Sequence, residues 1–441
     1  MSDALPDRRT MLCALALGLA TLAFITAKTG RDALFFQGSS GLLQLPLIYI
    51  NIAAAALPLA MIFVKAMKLW GARPARIGIL SLAGSVMAAM APFLTPGDNT
   101  AMLAMFIFIP AVFGLVLASL WLLAADLFET VEKRAAASAF SKIGAGALAG
   151  GMCGGLVAKA LSGYMDPKWL IFLGAIVLFA AVFLVAHIHR RFPSNSGSTK
   201  GEKRNFLAPF KQRYSLVLLF VSMTGALAGI LIDFQFYAAA AGSNMGPKGN
   251  ASFFANFYIL LNFSSLLLQL FATPKIQNKI GLRGGLMVLP LALTGGATFA
   301  TAAATALSRS VLRVTEGGLR SSVHRSIWEQ AFIPIDAADR STVKLLVDGI
   351  AARVAEAIGA ALILLWFSQK VASEKIEMPL DTRWISWIIL ATAVSWVLIT
   401  RALRAQTVDA EKPTHTVQDI VDCERFPDQC PCTTELGKGV P

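Results

Sequence analysis

Long apolar runs, separated by short polar connections, make up most of the chain. Most of them approach or exceed the roughly 20 residues that a helix needs to cross a bilayer. In the first half these runs are Met11–Thr26, Leu43–Ala66, Ile77–Leu94, Ala101–Leu127, Phe140–Leu161 and Trp169–Ala186. In the second half they are Ser215–Ala239, Phe253–Thr273, Gly285–Leu307, Leu345–Ser368 and Trp384–Leu403. The pattern predicts membrane-spanning helices in both halves.

One further segment, Ser308–Asp336, lies between apolar runs but is rich in charge. Its ionisable residues recur at steps of three or four, which places them on one stripe of a helix. The stripe contains Arg309, Arg313, Glu316, Arg320 and His324, and a neighbouring row contains Arg325 and Glu329. Charged side chains are costly in hydrocarbon, so this stripe must face a partner or a water-filled cavity. We therefore predict that the segment is the tenth span and the functional helix.

Composition agrees with a membrane protein that crosses the bilayer many times. Of the 441 residues, 56% are hydrophobic and only 15% are charged, and the mean hydropathy is +0.63. The net charge of +13 does not indicate nucleic-acid binding, because Lys and Arg concentrate in alternate connections, as the positive-inside rule predicts. We expect the lipid bilayer as the surroundings, a cell (inner) membrane location and both termini in the cytoplasm.

A faint internal repeat divides the chain into two matched halves. Gly71-Ala72-Arg73 corresponds to Gly281-Leu282-Arg283, and Lys133-Arg134 corresponds to Asp339-Arg340. Offsets close to half the chain are typical of duplicated helix bundles. We predict an all-α membrane protein with twelve transmembrane helices in two pseudo-symmetric six-helix bundles, divided as bundle 1–190, cytoplasmic linker 191–213, bundle 214–405 and polar cytoplasmic tail 406–441.

Glycines in the fifth run predict close helix packing. The segment from Gly144 to Gly155 repeats small residues at steps of three and four, which lets a neighbouring backbone approach. The seam would either slide during function or pack statically. No phosphate-binding loop, metal constellation or nucleophile triad is present, and the cysteines form no complete site. We expect no enzyme activity, no metal and no cofactor.

Several separate stretches resemble a known family. They are Arg31-Asp32-Ala33-Leu34-Phe35-Phe36, Lys133-Arg134 with the glycine run, Asp233-Phe234-Gln235-Phe236, Phe253–Tyr258, Leu267–Phe271 and, most specifically, Leu319–Ser326 with Glu329, Ile333–Asp336, Lys344, Asp348 and Arg353. Up to about Leu403 the chain is similar to the nucleotide transporter family, the ATP/ADP antiporters of obligate intracellular bacteria and plastids with their uncharacterised bacterial relatives. That family belongs to the major facilitator superfamily.

Two departures place the chain closer to the uncharacterised bacterial branch than to the ATP/ADP exchangers. Tyr237 stands where a Lys usually follows the D-[YF]-Q-F motif. His324-Arg325-Ser326 replaces the Lys-Tyr-Ser that the exchangers typically carry. The resemblance implies a twelve-helix transporter fold and, more weakly, exchange of nucleotides.

Basic side chains on the first and tenth helices fit an anionic small-molecule substrate, because Arg forks and Lys point charges hold phosphates. The candidate substrate-binding residues are Lys28, Arg31, Arg313, Glu316, Arg320, His324, Arg325 and Glu329. The candidate coupling or gating residues are Asp32, Asp233, Gln235, Lys133, Arg134, Asp336, Lys344, Asp348 and Arg353. Lys28 and Arg31 have an alternative role as interfacial anchors.

Three functions remain open at this point. The first is an antiporter of nucleotides or phosphorylated metabolites that works by alternating access. The second is a proton-coupled exporter of another organic compound, in which Asp233, His324 or Glu329 carries the proton. The third is a membrane scaffold that keeps the fold without transport.

Overall fold

The structure is a computed structural model that describes residues 4–36, 39–96, 100–128, 133–192, 208–241, 246–303, 305–332, 335, 343–373 and 383–405. The first half contains α1 (Ala4–Phe35), α2 (Ser39–Trp70), α3 (Ala72–Met90), α4 (Thr100–Phe128), α5 (Lys133–Leu161) and α6 (Lys168–Arg191). A short 3₁₀ turn, Ala91–Phe93, extends α3.

The second half begins with a 3₁₀ turn at Ala208–Lys211 and continues with α7 (Arg213–Ala241), α8 (Gly246–Leu267) and α9 (Thr273–Ala302). We number as α10 the helix made of Ala306–Leu319, a π turn at Arg320–His324 and Arg325–Gln330. The chain then forms α11, which is a π segment Leu345–Ala351 followed by Ala352–Ser373, and α12 (Arg383–Arg401). Another π turn, Leu268–Ala272, joins α8 to α9.

Eleven helices within these described ranges are long and apolar enough to cross a membrane. The charged α10 is the twelfth, and it begins with a capping box in which the side chains of Thr305 and Ser308 each accept from the other's backbone N–H. The predicted fold class, twelve helices in two six-helix bundles, is confirmed. The apolar run Met11–Thr26 lies within α1, which continues through Lys28, Arg31 and Asp32 to Phe35.

Two matched glycines support the predicted repeat. Gly71 has φ +88° and Gly281 has φ +63°, a left-handed conformation that favours glycine. Gly71 separates α2 from α3, and Gly281 breaks the helical path at the corresponding point of the second half. The two halves therefore reverse direction at equivalent positions.

Contacts between the halves follow the same symmetry. Helix α5 packs on α8, and α11 packs on α2, which are equivalent pairs when the halves are exchanged. Helix α1 also contacts α8. The exact division at 190, 213 and 405 stays a prediction.

Helix α5 uses its glycines on two faces. A Cβ at Gly150 would lie 2.1 Å from the carbonyl oxygen of Gly18 in α1. On the other face, a Cβ at Gly151 would lie 2.4 Å from Oδ1 of Asn262, and one at Gly155 would lie 2.7 Å from Ile259. The first face packs inside one half and the second packs across the two halves, so close approach requires glycine on both.

Replacing Gly151 with Leu is expected to reduce transport more strongly than it reduces membrane abundance. The larger side chain would push α8 away from α5 and hold the halves apart at one point of the cycle. Gly114→Leu is the matched control, because nothing lies within 4 Å of a Cβ at Gly114. The measurement is substrate uptake normalised to membrane abundance, and normal uptake by Gly151→Leu would show that the seam is passive.

Candidate functional site

The last turns of α1 carry a buried ion pair. Arg31 donates to Oδ1 of Asp32 through Nε at 2.8 Å and Nη2 at 2.5 Å. Only 3% of the Arg31 side chain and 0% of Asp32 are exposed. The guanidinium also lies 3.9 Å from the ring centroid of Phe106, a cation–π contact. The partners of the Arg31 guanidinium therefore all lie in the first half of the chain.

Asp32 also joins the two halves. Its Oδ2 accepts hydrogen bonds from the hydroxyls of Tyr237, at 2.9 Å, and Tyr258, at 2.7 Å. Nearby, Nδ2 of Asn250 donates to the carbonyl of Phe36 at 2.8 Å, and the rings of Phe36 and Tyr237 stack with centroids 4.4 Å apart. We call these contacts the Asp32 latch. The latch holds the halves together at the end of the molecule where α1 finishes.

Lys28 lies one turn before the latch and differs from the other cations of the site. Its ammonium is 4.8 Å from the ring centroid of Tyr258 and 5.9 Å from that of Phe24. Among the residues that the structure describes, no ion pair or hydrogen bond holds this ammonium. Its three N–H donors remain available to an acceptor that enters from outside the protein.

Helix α10 supplies a chain of ion pairs that reaches α7. Arg313 pairs with Oδ1 of Asp233 at 2.6 Å and also with Glu316. Glu316 accepts from Arg320 on its other oxygen. Nη2 of Arg320 donates to the carbonyl of Gly225 at 2.7 Å. Three members of the predicted stripe on α10, Arg313, Glu316 and Arg320, therefore form one connected network.

The side chains of this network differ in how far they are exposed. Glu316 is 2% exposed at the centre, whereas Arg313, Asp233 and Arg320 are 16%, 21% and 35% exposed. The outer members of the network are therefore partly accessible from outside the protein, in contrast to the buried Arg31–Asp32 pair. Tyr49 of α2 reaches Oδ2 of Asp233 at 3.3 Å, which brings the first half to the same place.

Glycines of α7 make room for Arg320. A Cβ at Gly229 would lie 3.3 Å from its Nη2, and one at Gly225 would lie 2.9 Å from the ring of Trp396. The guanidinium sits 5.8 Å from the centroid of that ring. These contacts fix the plane of the Arg320 fork against α7 and α12.

His324 lies in an aromatic environment. Its ring stacks on Trp328 at 5.8 Å and meets Trp396 edge-on at 5.5 Å. Nδ1 is buried and has no hydrogen-bond partner in the described part of the chain. Trp328 in turn donates to Asp348 at 2.8 Å. The ring thus packs between helices α10 and α12.

The remaining sequence candidates form a second group or fall elsewhere. Glu329 pairs with Arg325 at 2.7 Å and with Lys344, while Arg353 pairs with Glu356 at 2.6 Å. Gln235 donates to Ser386 at 2.6 Å. Asp336 lies outside the described residues, and nothing is described of the side chains of Lys133 and Arg134.

Sequence reasoning missed the aromatic half of the site. Tyr49, Tyr258 and Trp396 were not candidates, and Tyr237 was noted only as a departure from a family pattern. Asp233 and Tyr237 are four residues apart, so they share a face of α7. That spacing was the available signal.

The described residues offer no candidate metal site. In the described ranges, no group of three or more His, Cys, Asp or Glu side chains could hold a metal ion. Apart from Lys28 and His324, the ionisable groups described at the site pair with one another.

Comparisons with known proteins give the fold and no family. No family model and no curated protein matches the chain. Among solved structures, the POT family transporter PepTSo matches with a TM-score of 0.64 and 12% identity over 90% of this chain and 99% of that one. A mutant of the nucleoside transporter NupG matches with a TM-score of 0.60 and 16% identity over 88% of this chain and 100% of that one.

The fold is that of these solved transporters. A second NupG structure agrees, with a TM-score of 0.57 and 12% identity over 94% of this chain and 100% of that one. Sequence identities this low show a shared fold and nothing more specific. The specific resemblance to ATP/ADP antiporters is not shown by them.

Proposed function

We propose that the protein is a secondary transporter that moves an anionic substrate by alternating access and binds it between the two halves. The observation that carries this proposal is Lys28, a cation of the first half without an acid partner among the described residues, together with the partly exposed Arg313 and Arg320 of the second half. A cation in such a place is stabilised by an incoming anion.

The ion pairs supply a means of reorientation. Arg313 and Glu316 belong to the second half, Lys28 and Tyr49 to the first, and Asp233 contacts both Arg313 and Tyr49. An anion that draws Lys28 toward itself would weaken its contact with the ring of Tyr258 in the second half. Exchange of internal partners for a ligand's charge lowers the barrier between conformations.

Within this class, nucleotides or phosphorylated metabolites are the substrates that the sequence resemblance implies, with exchange of the ATP/ADP type as the specific form. Guanidinium forks and an ammonium suit phosphate oxygens. Tyr237 donates to Asp32 here, so a position that is Lys in the exchangers serves the latch instead.

Proton-coupled export is the second candidate, and Asp233 is the observation in its favour. This carboxylate is 21% exposed and lies between the two halves, where protonation would release Arg313. His324 suits the role less, because two indole rings pack against it. A scaffold without transport would need neither the unpaired Lys28 nor a partly exposed ion-pair network.

We also propose an inner-membrane location with both termini in the cytoplasm, supported by the alternation of Lys and Arg between connections. Reporter tags inserted at Ser196 in the linker and at Thr416 in the tail, both outside the described residues, should report the cytoplasmic face. Tags on opposite faces would contradict the orientation.

Replacing Lys28 with Gln is expected to weaken anion binding by about tenfold or more, equivalent to about 1.4 kcal/mol. The reason is that Gln keeps a polar side chain of similar length but removes the charge. The measurement is the thermal shift of purified protein with phosphorylated compounds and carboxylates, since a ligand of the folded state raises the melting temperature.

Lys168→Gln is the matched control, because Lys168 stands at the start of α6 and contacts the ring of Trp169. Equal binding by wild type and Lys28→Gln would contradict the proposed site.

A further inference from the structure

The charges around Lys28 are nearly balanced. Arg31 and Asp32 follow it by three and four residues on α1, and Asp233 and Arg313 of the second half are close enough to interact with it electrostatically. Arg31 pairs with Asp32, and Arg313 pairs with Asp233. These two pairs cancel, so Lys28 leaves one positive charge in excess at this point between the halves.

The three arginines of the site do not add to that positive charge, because each is already paired with a carboxylate. Both donating groups of Arg31 bind one oxygen of a fully buried carboxylate. Arg313 is held by Asp233 and Glu316, and Arg320 by Glu316 and the Gly225 carbonyl. Recruiting any of them to a ligand would leave a carboxylate without its cation, and an unpaired charge inside a protein is costly.

A highly charged anion would also meet repulsion. Asp32 and Asp233 both interact electrostatically with the Lys28 ammonium, and Asp32 is 0% exposed and fixed by two tyrosine hydroxyls. Each negative charge beyond the first would face these carboxylates without a free cation to offset it. Like charges in a region of low dielectric interact strongly.

We infer that the site selects substrates that carry a single net negative charge, and that Lys28 is the residue that sets this charge. The inference rests on the proposed function and narrows it, because it excludes the ATP/ADP form of exchange that the sequence resemblance implies. Phosphodiesters, monocarboxylates and singly ionised phosphate compounds fit the site, whereas diphosphates and triphosphates do not. Binding of one such anion makes the surroundings of Lys28 neutral. The free-energy cost of moving the two halves relative to each other is lowest in that neutral state.

A charge series on one apolar body tests the inference. Methyl phenyl phosphate, phenyl phosphate and phenyl diphosphate carry about one, about two and about three negative charges at pH 8, since the second phosphate pKa is about 6. Thermal-shift titrations of purified wild-type protein give the affinity for each compound. We expect methyl phenyl phosphate to bind about tenfold or more tightly than phenyl diphosphate.

Reversal of the charge at one position provides the second arm. Lys28→Glu changes the local excess from positive to negative, so this variant should lose the diester and gain binding of phenyltrimethylammonium, a single cation. Lys168→Glu makes the same change of charge outside the site and should keep the wild-type order of affinities.

The outcomes separate the inference from the proposed function. If phenyl diphosphate binds wild type as tightly as the diester and Lys28→Glu abolishes binding of both, the anion site stands and the single-charge rule is overturned. Failure of all three compounds and of every other anion to bind wild type would overturn both. Retention of the diester by Lys28→Glu would overturn the assigned role of Lys28.

Discussion

Replacing Asp32 with Ala is expected to destabilise the protein by about 3–5 kcal/mol, the usual effect of leaving one member of a buried ion pair without its partner. Arg31 would keep its charge at 3% exposure with no acid beside it. The hydroxyls of Tyr237 and Tyr258 would lose the carboxylate that they share. The measurement is thermal unfolding of detergent-purified protein, together with its abundance in the membrane.

Two further variants show whether the loss comes from the unpaired Arg31. The double variant Arg31→Met/Asp32→Leu removes both charges, and we expect it to recover most of the lost stability, because an apolar replacement of a buried pair is often neutral or stabilising. Glu329→Ala is the control, since Glu329 is 37% exposed and exposed pairs contribute about 1 kcal/mol or less. A double variant as unstable as Asp32→Ala would contradict the pairing argument.

The recovered double variant also tests the latch. It lacks the carboxylate that ties Tyr237 and Tyr258 of the second half to α1. We expect its halves to separate more readily at the Phe36 end, measured as faster labelling of a cysteine introduced at Phe254, which is 1% exposed and beside Phe36. Wild-type labelling rates would show that the aromatic contacts alone keep that end closed.

Arg320→Lys is expected to leave membrane abundance near normal while it weakens anion affinity by about tenfold, or about 1.4 kcal/mol. Lys preserves the charge beside Glu316, so the buried acid keeps a partner. It cannot donate to Glu316 and to the Gly225 carbonyl in one plane as the guanidinium does. The loss of that plane would let Glu316 draw Arg313 away from the space between the halves.

Arg213→Lys serves as the control for this variant, because Arg213 is an exposed residue at the start of α7. Substrate titrations with both variants give the comparison. Unchanged affinity in Arg320→Lys for every anion, with a strong loss of activity in His324→Ala, would favour the proton-coupled exporter.

The apolar runs were sufficient to predict the number and order of the helices, because bilayer thickness fixes the length of a span. The stripe on α10 was equally readable, since the helical period alone brings Arg313, Glu316 and Arg320 together. The paired glycines at 71 and 281 could be predicted from their offset and are now matched by their positive φ angles.

Long-range partners could not be predicted in the same way. The end of α1 looked like the edge of a span, because Lys28, Arg31 and Asp32 are poorly placed in hydrocarbon by themselves. Tyr237 stabilises Asp32 from 205 residues away and Tyr258 from 226, and no local pattern contains that information. The same limit hid Tyr49 and Trp396, whose roles depend on how the halves pack.

Charge movement in reconstituted membranes tests the central claim most directly. Proteoliposomes on a solid-supported membrane are exposed in turn to singly charged phosphodiesters and carboxylates, to polyphosphates and to neutral analogues. Binding between the halves at Lys28 predicts a saturable transient current with at least one singly charged anion in wild type. In Lys28→Gln at equal protein density, half-saturation of that current should need an anion concentration about tenfold or more higher. The same half-saturation in Lys28→Gln, or no current with any anion in wild type, would contradict the claim.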